Sequence, residues 1–167
     1  MRIAIICFGN IARSQILAAY LEHYAARLDL SKLIEIRSCG TVEQLGCFGN
    51  EAARLHEVQE RLRERGLNCM LERTLWADDV ANWVASCDLI LIADEARRCD
   101  VVGRLGEAVS ARAALFYEFI DEGTKDFTDT FDFATGEQDA ERFDRCFDEL
   151  ERIAVRTLEK LRKMVET

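Results

Sequence analysis

The stretch Ile3-Ala4-Ile5-Ile6-Cys7-Phe8-Gly9-Asn10-Ile11-Ala12-Arg13-Ser14 decides how the rest of the chain is read. Its first four residues form an apolar run, and a buried strand is expected over residues 2–6. From Ser14 onward Ile16, Leu17, Tyr20, Leu21 and Tyr24 recur at helical spacing, which predicts a helix over 14–28. Cys7 to Arg13 therefore occupies the turn between the end of a strand and the start of a helix. The first N–H groups of a helix lack intrahelical acceptors and carry the positive end of its dipole, so such a turn is a ready anion site. A cysteine facing that field is favoured as the nucleophilic thiolate. An arginine six positions later supplies a planar fork that can hold two phosphate oxygens at once. These residue types in this order describe a thiolate aimed at a phosphorus atom.

Outward from this turn, the pattern alternates strands and helices. A short second strand is expected over 33–36, followed by a loop over 38–49 that holds Gly40, Gly46 and Gly49 and reads as functional. A helix over 51–65 places Ala52, Leu55, Val58 and Leu62 on one face and stops at Gly66. A shorter helix is expected over 74–85, with Trp76 and Trp83 on one face and in the core. Leu89-Ile90-Leu91-Ile92 is a continuous apolar run, as a parallel strand covered on both faces requires. A helix over 95–105, a last strand over 113–119, a polar loop over 123–136 and a long amphipathic helix over 139–165 complete the chain. The expected fold is α/β: a single doubly wound domain over 1–167, with a four-stranded parallel sheet flanked by helices and the phosphate-binding loop after the first strand. Ligands of such sheets bind at the carboxyl ends of the strands, where Cys7 stands.

Composition narrows the classes of partner. A net charge of −9 argues against nucleic acid, which needs a basic face to replace counterions. Although 49% of the 167 residues are apolar, no run approaches the length that spans a bilayer, so no membrane insertion is expected. The seven cysteines are odd in number, scattered and without a CxxC pair. That pattern suits neither a disulfide framework nor a zinc site, and with no leader before the first strand it points to a reducing cytoplasm. The two histidines have no partner at metal-ligand spacing, so no metal or other cofactor is expected. Proline is absent, where average usage would give about eight.

The Cys7–Ser14 stretch resembles the phosphate loop of the low-molecular-weight protein tyrosine phosphatases, which is a cysteine, five residues and Arg-Ser near the N-terminus. Larger tyrosine phosphatases carry histidine before the cysteine and glycine three after it, where Ile6 and Asn10 stand here. Ser38-Cys39-Gly40-Thr41 matches the Ser-Ala-Gly-Thr that follows the family's second strand. The resemblance implies a protein tyrosine phosphatase acting through a cysteinyl-phosphate intermediate, on a phosphotyrosine-containing protein or a small aryl phosphate, as a monomer or weak homodimer. It implies Cys7 as nucleophile and Arg13 as transition-state clamp. Phe8, Gly9, Asn10, Ile11, Ala12, Arg13 and Ser14 would bind phosphate, with Asn10, Ser14 and Ser38 supporting the loop. The family's general acid lies in an Asp-Pro-aromatic motif. Asp129-Thr130-Phe131 reproduces that order with proline exchanged, which favours Asp129, with Asp132 as the alternative. Phe8, Ile11, Phe131 and Phe133 would wall a slot deep enough to exclude phosphoserine. The family's arginine phosphatases tend to carry threonine at the position of Ile11, so an apolar residue there suits a phenyl ring.

Two alternatives follow from the same loop. Gln15 replaces a proline, as in the related thioredoxin-coupled arsenate reductases, but of their two further cysteines on a mobile helix only Cys99 has a counterpart, Cys87 lying before the strand. Ala12 replaces a second loop cysteine, which leaves Cys7 without a neighbour for a protective disulfide. If no aspartate reached the site, the fold would be a phosphopeptide-binding module without turnover.

Overall fold

The computed structural model describes residues 1–46, 49–132 and 137–165. Four parallel strands, β1 (Arg2–Cys7), β2 (Glu35–Gly40), β3 (Leu89–Ile92) and β4 (Ala113–Leu115), lie in the order β2-β1-β3-β4. The helices are α1 (Arg13–Arg27), α2 (Glu51–Glu64), α3 (Asp78–Ala85), α4 (Glu95–Leu105), the single turn α5 (Phe116–Phe119) and α6 (Ala140–Val165). A 3₁₀ segment (Glu107–Arg112) precedes β4, and the two-residue strands β5 (Phe131–Asp132) and β6 (Glu137–Gln138) pair antiparallel. The doubly wound α/β architecture expected from the alternation is the one observed.

Side chains alternate across a strand, so β1 feeds two cores. Ile3, Ile5 and Cys7 face α1 and α6, where Phe143, Phe147, Leu150, Leu158 and Leu161 form the buried stripe of the long helix. Ala4 and Ile6 face the opposite layer with Val80, Val84 and Val101 of α3 and α4. Complete burial of a side chain such as Phe147 contributes about 1.5–3 kcal/mol, so the α6 stripe is a principal fastening of that layer.

Three elements depart from the sequence expectation. The second strand runs to Gly40 instead of stopping at Ile36, and Ser38, Cys39 and Gly40 are ladder residues paired with Ile5, Ile6 and Cys7. Their small side chains look like a turn in sequence, but here they let the strand lie close under the phosphate loop. The last strand ends at Leu115, and residues 116–119 coil into a helical turn instead. The Glu118 carboxylate accepts from the Leu115 N–H at 2.9 Å and closes that turn, a local capping contact that outweighs the apolar run's β character. The helix expected over 74–85 begins only at Asp78, because Thr74 bridges to Gly40 and the Leu75 N–H bonds the Gly40 carbonyl at 2.8 Å. Trp76 accordingly lies outside the helix and is 44% exposed, not in the core, its indole N–H donating to the Thr41 carbonyl at 2.9 Å.

Candidate active site

β1 and β3 are neighbours at the centre of the sheet, and the segments that leave their carboxyl ends diverge, one into α1 and the other into α4. Cys7 ends β1, and Asp94 follows β3 as the N-cap of α4. The site is built in the crevice between them, at the switch point the fold class assigns to ligands.

The loop from Phe8 to Ala12 closes around its own side chains. Asn10 has φ of 55°, a left-handed conformation that asparagine tolerates better than most residues. Its amide nitrogen donates to Ser14 Oγ and to Ser38 Oγ, both at 2.9 Å. Its amide oxygen accepts from the Arg73 N–H at 2.8 Å and from Gln15 at 3.3 Å. Gln15 then reaches on to accept from the Met70 N–H at 2.9 Å. The residue that replaces proline is thus a buried strut between the loop and the segment after α2. Ser14 Oγ is 3.0 Å from Cys7 Sγ, and because Asn10 already donates to that hydroxyl, its hydrogen is free to point at the sulfur.

β2 forms the floor. The N–H groups of Thr41 and Val42 donate to the carbonyls of Cys7 and Phe8, each at 3.1 Å. A Cβ on Gly40 would stand 2.4 Å from the Phe8 carbonyl oxygen, so only glycine allows this approach. With those carbonyls held away from the site, the N–H groups of Gly9, Asn10, Ile11 and Ala12 make no hydrogen bond among the described residues. They form a set of fixed donors around the sulfur, a nest for an anion.

Arg13 is nearly fully buried and held on one side only. Nη1 donates to Asp94 at 2.7 Å and to the Phe127 carbonyl at 3.0 Å, and Nη2 donates to Asp129 at 2.5 Å. Nε–H and the second Nη2–H share one edge of the guanidinium plane and have no protein partner among the described residues, which leaves a two-pronged donor. Burial opposes the positive charge, but Asp129, Cys7 and Asp94 outweigh it and raise the pKa of Arg13 above its ordinary value.

Asp129 is brought in by backbone anchors at the preceding residues. Asp126 accepts from the Glu95 N–H at 2.8 Å, and the Phe127 N–H donates to the Ala93 carbonyl at 2.7 Å, which fastens this loop to the end of β3. The Asp129 side chain remains 23% exposed, so it meets both Arg13 and solvent.

Cys7, Phe8, Gly9, Ile11, Ala12, Arg13, Asp129 and Arg54 of α2 line one pocket. Its free volume is about 10 Å³, room for a single water, so Asp129 and Arg54 stand where a phosphoryl group would make them give way. The expected loop residues and Asp129 therefore converge. Asp132 contributes backbone to β5, opposite Glu137, and Phe133 lies outside the described residues. Phe131 is buried beneath the Arg54 guanidinium and is not among the residues that line this pocket, where Arg54 itself stands. Asp94 and Arg54 are the residues that the sequence reading missed. An Asp just past the apolar strand of residues 89–92 and before a helix was the available signal for Asp94, while Arg54 carried none.

The remaining described cysteines are free, and their placement does not suit a thiol relay. Cys99 is exposed on α4, and burial pushes the thiols of Cys87 and Cys146 up to about 12. No group of three His, Cys, Asp or Glu residues among those described is placed to hold a metal ion.

A thiol in a nest of free amides, a one-sided guanidinium and a nearby carboxylate define the class of enzymes that cleave phosphoric monoesters. Residues 2–167 match the model of the family described as low molecular weight phosphotyrosine protein phosphatase, and the chain belongs to that family of phosphoric monoester hydrolases. Its fold is similar to that of YwlE arginine phosphatase from Geobacillus stearothermophilus, at 23% identity and a TM-score of 0.72 over 98% of this chain and 94% of that one. A low molecular weight phosphotyrosine phosphatase from Vibrio cholerae O395 is similar at 20% identity and 0.74 over 98% of both chains. A protein tyrosine phosphatase from Entamoeba histolytica is similar at 20% identity and 0.69 over 98% of this chain and 97% of that one. Among curated proteins none matches the chain by sequence.

Proposed function

We propose that the chain hydrolyses phosphotyrosine, on a protein or as a small aryl phosphate, by covalent catalysis at Cys7. The Cys7 thiolate attacks phosphorus in line, forming the S–P bond as the bond to the phenolic oxygen breaks. Asp129, protonated, gives its proton to the departing oxygen. As a carboxylate it then takes a proton from water, which attacks phosphorus, breaks the S–P bond and releases inorganic phosphate. The free amides of the loop and the open edge of Arg13 hold the equatorial oxygens and stabilise the charge of both transition states. The Ser14 hydroxyl steadies the sulfur as it leaves. Neither step needs a metal or another cofactor, because fixed dipoles and arginine supply the electrostatic stabilisation.

The observation that carries this reading is the convergence of Cys7, Arg13 and Asp129 on one pocket, with Asp129 bonded to Arg13 at 2.5 Å. Ile11, buried and lining the pocket, gives it an apolar side suited to a phenyl group. The free thiols and the absence, among the described residues, of a helix long and apolar enough to cross a membrane support a cytoplasmic setting.

Initial rates on phosphotyrosine, phosphoarginine and phosphoserine peptides in EDTA test the proposal. Phosphotyrosine should exceed phosphoserine by at least roughly a hundredfold in kcat/KM, about 2.7 kcal/mol of differential transition-state binding. Comparable rates on the two would sink the deep-slot reading, and a preference for phosphoarginine would reassign the substrate.

A further inference from the structure

Arg54 belongs to no motif of the phosphate loop, yet it lines the pocket with Cys7, Arg13 and Asp129. It is only 9% exposed, its guanidinium carbon lies 3.9 Å from the centroid of the Phe131 ring, and its Nε is buried without a hydrogen-bond partner among the described residues. Burial accordingly lowers its pKa from the ordinary value, with Asp129, Cys7 and Glu51 acting in the other direction. Burying a charged donor without an acceptor is costly, and stacking on an aromatic face offsets only part of the cost. A donor held in that condition beside a nucleophile is suited to an arriving anion.

The charges around the sulfur show why a second cation matters. Arg13 already faces two carboxylates, Asp94 and Asp129, and the thiolate adds a third negative charge. Even with Asp129 protonated for the first step, Asp94 and the thiolate offset Arg13, so without a second cation a phosphate dianion would depend on the loop amides, within a protein whose overall charge is −9.

We propose that Arg54 is the second guanidinium of the phosphate site, binding the dianion alongside Arg13 and selecting aryl phosphates against phosphoarginine. Anion binding follows from the pocket itself, whereas the selectivity rests on the phosphatase reading above. One residue acts on the two substrates with opposite sign. A phenyl ring leaving the pocket past Arg54 presents a π face to the guanidinium, a favourable contact. Phosphoarginine brings its own protonated guanidinium to the same mouth, where two like charges share a poorly hydrated space.

Calorimetry with inorganic phosphate on the intact protein tests the first half, using Arg54→Gln and Arg54→Lys, each checked for folding by thermal melting. Arg54→Gln should weaken phosphate binding about tenfold, and lysine should recover a large part of the loss. Should the glutamine variant be unstable, Arg54→Met keeps the apolar stem over Phe131 and should show the same weakening. An unchanged Kd in a folded neutral variant overturns the proposal. The second half is read from the ratio of kcat/KM for phenyl phosphate to that for phosphoarginine, which should move about tenfold toward phosphoarginine in Arg54→Gln. An unchanged ratio overturns the selectivity. If the wild-type protein turned over no phosphomonoester while Arg54→Gln still lost phosphate affinity, the phosphatase reading would fail and the anion site would stand.

Discussion

The phosphate loop and the loop that carries Asp129 meet at Arg13, and they are built differently. Around Asn10 every polar side chain has its partners within the site: Ser14, Ser38, Gln15 and the Arg73 N–H. The carbonyls of Cys7 and Phe8 are held by Thr41 and Val42, just past β2, and Gly40 lets the two backbones touch. The Asp129 loop is fastened at Asp126 and Phe127 and again further on, where Arg142 donates to the Asp129 carbonyl at 3.2 Å and the Asp139 N–H to the Thr130 carbonyl at 3.0 Å, but its side chains are less completely satisfied. Thr130 buries its hydroxyl with no partner among the described residues, and beyond it come strands of two residues each. On the mechanism proposed above, the difference follows from what each loop would do. Amides that stabilise a transition state act best when no reorganisation is needed at the moment of reaction. A general acid must leave Arg13 and reach the leaving oxygen, and a fully bonded loop would hinder that transfer.

Substitutions can break or sharpen this contrast, beginning with the rigid side. Cys7→Ser should cost roughly ten-thousandfold or more in kcat while phosphate still binds with near-normal affinity, because the amides and Arg13 remain in place. Loss of phosphate affinity in calorimetry would mean that the loop depends on the thiolate for its shape. Asp129→Asn should slow phenyl phosphate by about a hundredfold to a thousandfold, yet spare an ester with a strongly acidic phenol, whose leaving group needs no proton. Equal damage to both substrates in steady-state assays would make Asp129 a support for Arg13 and not the acid; the leaving-group pattern in Asp132→Asn would move the role there. Gly40→Ala should destabilise the fold by about 1–3 kcal/mol in urea unfolding and lower kcat/KM with it, since a Cβ has no room against the Phe8 carbonyl. An undiminished midpoint would show that the loop can be displaced from β2 at little cost. The smallest effect lies in the Asp129 loop. Thr130→Val keeps the shape and removes the unpartnered hydroxyl, so it should stabilise by about 1 kcal/mol, a rise of roughly 2–4 °C in Tm. A lower Tm would reveal a partner for that hydroxyl and a better-bonded acid loop than the one described.

What could be read from the sequence follows the range of the interactions. Cys7, Asn10, Arg13 and Ser14 lie within eight residues, and their chemistry is set by a strand-to-helix turn that periodicity alone places. β1, β3 and α6 were equally plain, each being a strongly patterned segment. Ser38 was recognised by its motif, but β2 was ended too early, because Ser38-Cys39-Gly40 is polar and small for a reason that lies on β1. The run from Ala113 to Phe119 is apolar but for Glu118, whose side chain shows where the strand gives way to a turn. The choice of Asp129 rested on a three-residue order, and its delivery to Arg13 depends on contacts with Ala93 and Glu95. Arg54 depends on the entry angle of α2, which no local pattern records.

Asp94 divides its two oxygens between tasks. Oδ1 accepts from the Arg97 N–H at 2.9 Å and caps α4, while Oδ2 takes Arg13 at 2.7 Å. Fraying of that helix end and reorientation of the guanidinium are therefore expected to be coupled. Amide hydrogen exchange makes the link visible: an anion that fixes the open edge of Arg13 should slow exchange at the Arg97 N–H, on the far side of the carboxylate from the ligand. Exchange there that is indifferent to saturating phosphate would show that the cap and the clamp move independently. If it slows, the first turn of α4 is a reporter of phosphate occupancy that touches no substrate.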